Sequence, residues 1–384
     1  MALQKLLFIF GTRPEAIKMA PLITQLRQRP DRFEVQVCVT AQHREMLDQV
    51  LKLFDLRPEY DLDLMTAGQD LTDLTCRILT GLKPVLAKSR PHRVLVHGDT
   101  TTTLGASLAA FYAKIPVAHV EAGLRTGDRY APWPEEMNRK ITTAIADLHF
   151  APTERARQSL LAENVPDSQI HVTGNTVIDA LLAVVGKVRI DAGMRDLLGQ
   201  QFNALDSEKK LVLVTGHRRE NFGVGLENIC QGLLRVMERF PDTEIVYPVH
   251  RNPSVQNTIF QFLGNASEEV RGRLHLIDPL DYLPFVYLME RSHFIITDSG
   301  GVQEEGPSLG KPVLVTREIS ERPEAVAAGT VRLVGTDATR LFDDCERLMT
   351  DPDFYSSMSQ AHNPYGDGRA SERISDILRE VTFQ

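Results

Sequence analysis

The sequence predicts an α/β protein built on two parallel sheets, and three observations carry that reading. Short apolar, β-branched runs alternate with longer stretches of helical period along the whole chain. The alternation pauses once, between about residues 180 and 210, and then restarts. At 384 residues the chain is also too long for one small core, since domains usually hold about 100–200 residues.

The strands follow from the runs themselves. Residues 6–10, 35–40, 94–97 and 117–120 are predicted strands of a first domain, and 211–215, 244–249, 274–277, 294–297 and 313–315 those of a second. Between them, residues 16–27, 45–54, 102–114 and 226–240 repeat apolar side chains every three or four positions, the spacing of helices that cover sheet faces. The pause is marked by Gly186, Gly193, Gly199 and the charged run 206–210, so the boundary is placed there. Two such halves are expected to leave a cleft, with ligands beyond the carboxyl ends of the strands.

Composition narrows the function. Lys and Arg number 43 against 51 Asp and Glu, a net charge of −8, which argues against a nucleic-acid groove or a polybasic membrane patch. The longest apolar run near the start, residues 6–10, falls far short of the roughly 20 residues a spanning helix needs. Cys38, Cys76, Cys230 and Cys345 are widely spaced, which suggests neither a disulfide framework nor a zinc knuckle and fits a reduced, cytoplasmic compartment. No required metal is expected, because no spacing resembles a zinc or iron site.

The polar clusters fall just after predicted strands. Gly11-Thr12-Arg13-Pro14-Glu15, with Lys18 one turn later, offers a tight turn, helix amides and two cations to a phosphate, though a plain strand-to-helix turn weighs about equally. His97-Gly98-Asp99 runs into four threonines; read alone, Asp99 is more simply a helix cap. Glu121 follows the next strand, and Glu135-Glu136 open a helix where the dipole favours acids. Adjacent strand tips bring Asp99 and Glu121 together as paired carboxylates suited to acid and base work. His119, on a buried strand, reads as a core residue. In the second half Gly216-His217-Arg218-Arg219 offers an imidazole and two cations. Asp298-Ser299-Gly300-Gly301 presents unhindered amides to a pyrophosphate, with Glu305 placed to accept from ribose hydroxyls.

The blocks GTRPEAIKMAPL from Gly11, TAQHREMLDQVL from Thr40, HGDTTTT from His97 and VEAGLRTGDRYAPWPEEMNRK from Val120 span the first half. GHRREN from Gly216, DSGGVQEEGPSLGKPV from Asp298, ERPEAV from Glu321 and NPYGDGRASERI from Asn363 span the second. Together, in this order over nearly the whole chain, they resemble the non-hydrolysing UDP-N-acetylglucosamine 2-epimerases. The resemblance implies the glycosyltransferase-B architecture, two Rossmann-like domains facing across a cleft. The expected divisions are 1–180, 181–364, and a last helix in 365–384 returning to the first domain.

It further implies reversible conversion of UDP-N-acetylglucosamine to UDP-N-acetylmannosamine by elimination and re-addition of UDP through 2-acetamidoglucal, with no cofactor, neither metal nor nicotinamide, for bacterial envelope polysaccharide precursors. By matching blocks, Asp99, Glu121 and Glu135 are the expected catalytic carboxylates and His217 the catalytic histidine. Arg13, Lys18, Ser299, Gly300, Gly301, Glu305 and Arg322 are expected to hold UDP, with Phe285 near the uracil. Leu280 stands where some relatives carry a glutamine in the uracil loop. Gln42 matches a polar position used by relatives that bind a second substrate molecule, but Glu45 and Gly68 depart from it, so weak or absent activation of that kind is expected. A homodimer is implied, with a UDP-sugar as the only small-molecule partner and neither nucleic acid nor membrane. The rival readings are a retaining glycosyltransferase of the same architecture, a hydrolysing epimerase and a catalytically silent UDP-sugar sensor.

Overall fold

A computed structural model describes residues 3–41, 44–66, 68–320 and 322–381. The chain folds into two compact units, one formed by residues 1–183 with 365–384 and the other by 184–364. Gln42 lies outside the described residues.

The first unit contains β1 (Gln4–Phe10), β2 (Phe33–Val39), β3 (Tyr60–Asp61), β4 (Arg93–His97), β5 (Val117–Val120), β6 (Leu148–Ala151) and β7 (Ile170–Val172). They form one sheet in the order β3-β2-β1-β4-β5-β6-β7, every pair parallel. The second unit contains β8 (Lys210–Thr215), β9 (Thr243–Pro248), β10 (Leu274–Ile277), β11 (Phe294–Thr297), β12 (Val313–Val315) and β13 (Val331–Leu333). Their order is β10-β9-β8-β11-β12-β13, again all parallel. This is the expected fold class, two Rossmann-like sheets. Four strands, β3, β6, β7 and β13, were not anticipated; each has four residues or fewer.

Both sheets are buried on two faces, which is why their central strands read as continuous apolar runs rather than as alternation. In the first unit Leu7, Ile9, Val94 and Val96 pack with Ile78, Leu82 and Ala106 from covering helices. In the second, Val212, Val214, Ile245 and Ile296 pack with Ile229, Leu233 and Leu341.

Each sheet order doubles back at one place, between β1 and β4 and between β8 and β11. Helices leave neighbouring strands on opposite faces there, and the loops part to leave a crevice at the carboxyl ends. The returning segment closes the first unit. Its helix Ala370–Glu380 begins against Asp179, which accepts the amides of Ala370 at 3.2 Å and Ser371 at 2.7 Å, and Arg29 pairs with Asp376 at 2.8 Å.

Candidate active site

In the first unit the switch point joins the ends of β1 and β4. Thr12 caps the helix Arg13–Arg27 in a capping box with Glu15, and Pro14 sits in the first turn where no amide is lost. Glu15 is buried and does more than cap. One oxygen accepts from the amides of Gly11 at 3.1 Å and Thr12 at 2.8 Å, and the other from the hydroxyls of Thr100 at 2.7 Å and Thr103 at 3.2 Å. One carboxyl therefore ties the loop bearing Arg13 to the loop bearing Asp99. Burial raises its pKa, with the hydrogen bonds from Thr100, Thr12 and the amides opposing that rise.

Asp99 follows β4. Its carboxylate accepts from Arg139 at 2.6 Å and its carbonyl from Asn138 at 2.9 Å, both on the helix that Glu135 opens. Burial raises the Asp99 pKa, Arg139 opposes the rise, and the nearby charges of Glu121 and Glu135 add to it. Asp99 is thus a carboxyl placed to hold a proton nearer neutrality than usual, among two other carboxylates.

Glu121 follows β5 directly and lies in the left-handed region, at φ 61°, uncommon for a residue with a Cβ. The backbone is locked on both sides of it, with the Gly98 amide on the Val120 carbonyl at 2.9 Å and the Ala122 amide on the Phe150 carbonyl at 3.0 Å. The side chain lies against Gly98, where an added Cβ would meet its Oε1 at 3.6 Å. Lys18 and Asn175 both donate to Oε2, Asn175 at 2.8 Å. Lys18, expected to face a phosphate, pairs in this structure with Glu121. Among the described residues Glu135 Oε2 is buried and accepts no hydrogen bond. Its neighbour Glu136 is fully buried and accepts the amides of Thr126 at 3.1 Å and Gly127 at 3.2 Å, fixing the loop that leads into the helix.

His97, His119 and His149 are buried behind these groups. Burial lowers their pKa to about 4, about 3 and about 4. They are neutral near pH 7, so they add no cation to the carboxylate cluster.

In the second unit the switch point joins the ends of β8 and β11. An added Cβ on Gly216 would stand 2.7 Å from the Tyr247 hydroxyl, so the turn into His217 needs glycine. Asp298 orients the loop from below: it accepts the amides of His217 and Arg218, each at 2.9 Å, and its other oxygen lies 3.2 Å from His217 Nδ1. Burial alone would raise the Asp298 pKa, but the imidazole and these amides outweigh it and hold the carboxyl below its usual value. His217 is the exposed partner, at 43% side-chain exposure, stacked on His250 with ring centres 5.9 Å apart.

Ser299 caps the helix Gly300–Ser308 without using its hydroxyl for the cap, so the first-turn amides of Gly300 and Gly301 open the helix with no side-chain acceptor from the cap. The guanidinium of Arg322 lies beside Gly300, and Arg322 Nε donates to buried Glu304. Glu305 accepts from the Tyr282 hydroxyl at 2.8 Å. Burial, with Glu305 alongside, raises the Tyr282 pKa well above its ordinary value, so it stays a donor. Tyr282 opens the helix Tyr282–Arg291, which carries half-buried Phe285 one turn further along.

The structure thus gathers Arg13, Lys18, Asp99, Glu121 and Glu135 in one unit and His217, Ser299, Gly300, Gly301, Glu305, Phe285 and Arg322 in the other. Sequence reasoning missed Arg139, Asn175 and Tyr282. Asn175 had a signal, Gly-Asn-Thr before an apolar helix, but one that announces only a cap. Among the described residues no three His, Cys, Asp or Glu side chains group so as to hold a metal ion, and no helix is long and apolar enough to cross a membrane.

Comparison with known proteins gives a consistent result. The family model described as UDP-N-acetylglucosamine 2-epimerase matches residues 24–379. The chain is 59% identical to the UDP-N-acetylglucosamine 2-epimerase of Escherichia coli K12 over 375 residues, 98% of each chain. The crystal structure of UDP-GlcNAc 2-epimerase from Neisseria meningitidis bound to UDP-GlcNAc matches with a TM-score of 0.89 and 49% identity, covering 98% of this chain and 100% of that one. The Methanocaldococcus jannaschii UDP-GlcNAc 2-epimerase in complex with UDP-GlcNAc and UDP matches with a TM-score of 0.78 and 33% identity, covering 98% and 99%.

Proposed function

The chain belongs to the UDP-N-acetylglucosamine 2-epimerase family, and from that premise we propose that it is a non-hydrolysing enzyme interconverting UDP-N-acetylglucosamine and UDP-N-acetylmannosamine. The observation that carries the reading is a division of labour: three carboxylates, one with a raised pKa, gather at one switch point, while helix amides, an arginine and a histidine gather at the other.

The chemistry asks for both. The C2 proton of the sugar is weakly acidic until the C1–O bond begins to break and positive charge grows at C1. In our reading Glu121, held by Lys18 and Asn175, takes that proton as the C–H electrons form the C1=C2 bond and UDP departs with the C1–O pair. The amides of Gly300 and Gly301, with Arg322, Arg13 and His217, hold the diphosphate, while Glu305 holds the ribose and Phe285 lies near the uracil. UDP oxygen then re-adds to C1 of 2-acetamidoglucal, and a proton reaches C2 on the opposite face. Asp99, its pKa raised by burial among neighbouring carboxylates, fits that delivery. Glu135, with its unpartnered buried oxygen, is the third carboxylate facing the sugar.

This reading requires neither metal nor nicotinamide. It also places the enzyme in the cytoplasm as a homodimer supplying envelope polysaccharide precursors; exposed Phe111 and Tyr112, side by side on the first unit, support a contact between copies.

The test is proton NMR of UDP-N-acetylglucosamine with the purified protein in deuterium oxide. Deuterium at C2 together with the manno isomer is the expected result. Free N-acetylmannosamine with UDP would favour the hydrolysing chemistry, transfer only with an added acceptor a glycosyltransferase, and tight binding without exchange a sensor.

A further inference from the structure

Asn175 occupies the N-cap position of the helix Thr176–Ile190, and its side-chain oxygen accepts the Val177 amide at 3.1 Å. With that oxygen committed to the cap, the other end of the amide must be NH₂, and Nδ2 lies 2.8 Å from Glu121 Oε2. The cap therefore fixes which way the amide faces. The residue is almost fully buried, at 3% exposure. Its backbone is pinned as well: the Asn175 amide donates to the Tyr365 carbonyl at 2.7 Å, and Gly174 packs so closely on Gly366 that an added Cβ would stand 3.4 Å from its Cα.

We propose that Asn175 is the positioning residue for the catalytic carboxylate Glu121, holding it through a donor whose orientation is set by the cap of its own helix. Glu121 is an awkward group to place from its own strand, since its backbone is in the left-handed region and its side chain must cross toward Gly98. Lys18 holds it by charge on a flexible stem; Asn175 supplies a directional bond from a rigid element, which is what orients a carboxylate rather than merely attracting it. The returning segment is part of the device, because the Tyr365 carbonyl holds the backbone from which the amide projects.

The inference rests on Glu121 acting in the reaction, and the test separates the two. Asn175→Asp and Asn175→Ser both keep a cap acceptor for Val177 while removing the donor to Glu121. Both are expected to keep KM within about threefold and to lose about tenfold to a hundredfold in kcat, Asn175→Ser melting near the native temperature and Asn175→Asp, which sets a second acid against Glu121, below it. Asn175→Ala, which also loses the cap, is expected to show the same kcat loss and a lower melting temperature. Glu121→Gln is measured alongside. If it turns over normally, the assignment of Glu121 fails; if it is inactive while Asn175→Ser retains native kcat, the positioning role alone is overturned. Loss confined to Asn175→Asp would also overturn it, since a new charge rather than a missing donor would then be responsible.

Discussion

The two units share a sheet order and a switch point, yet they arm it differently. The first fills the crevice with side chains that constrain one another: Lys18 and Asn175 on Glu121, Arg139 on Asp99, Glu15 across two loops. The second presents mostly backbone, a glycine turn and a helix start, with Asp298 and Glu304 holding His217 and Arg322 from beneath. On the proposed function, the difference matches what each would handle. A diphosphate carries its charge at all times and can be met by fixed amides, whereas a proton in transit needs groups whose affinity for it is set by neighbours. Failure should therefore look different in the two units.

The largest effect belongs to the first. Glu121→Gln and Asp99→Asn are expected to lower kcat by about a hundredfold to ten-thousandfold while UDP binding, read by calorimetry, stays within a few-fold. Equal losses in kcat and UDP affinity would erase the division between the units.

Acid should separate them next. His97, His119 and His149 of the first unit have folded-state pKa values near 4, 3 and 4, against about 6.5 when unfolded, while the second unit has His293 near 4. A group whose folded pKa is depressed binds more protons when unfolded, so its contribution is present above about pH 6.5 and lost as pH falls toward about 4. Each fully neutral histidine costs at most about 1.4 kcal/mol per pH unit over that window. Glu15 and Asp99, with raised values, act oppositely and soften the slope. The net expectation is earlier acid unfolding of the first unit, read by pulse proteolysis in urea between about pH 7 and 4.5 with the fragments assigned to each unit. Loss of the second unit first would reverse it.

The amount of this that could be read from sequence follows the same division. Strand tips such as Gly11, His97-Gly98-Asp99 and Asp298-Ser299-Gly300-Gly301 announce themselves, because the glycines and the switch from strand to helix period fall together. So did both sheets, apart from β3, β6, β7 and β13. What stayed hidden was contact across long separations: Asn175 meets Glu121 from 54 residues away and Arg139 meets Asp99 from 40, and each reads locally as a cap or a surface cation. Tyr282 stayed hidden for the same reason, since only the fold places its hydroxyl on Glu305.

In the second unit, Gly301→Ala is expected to be tolerated by the fold, because the added methyl would meet only the Glu305 carboxylate at 3.7 Å. On the proposed function it would stand at the helix start that holds the diphosphate, so UDP affinity should fall by about tenfold, about 1.4 kcal/mol, with the melting temperature unchanged. Unchanged affinity would remove that helix from the binding site.

The smallest expected effect tests the one place where the second unit behaves like the first. Tyr282 donates to Glu305 much as Asn175 donates to Glu121, but Glu305 is expected to hold a ribose rather than move a proton. Tyr282→Phe removes a single hydrogen bond and leaves the carboxylate buried, a change of about 1 kcal/mol that should appear as a KM increase of about fivefold with kcat held. A fall in kcat at constant KM would place Glu305 in the chemistry, and orienting donors would then mark catalytic groups in both units rather than in one.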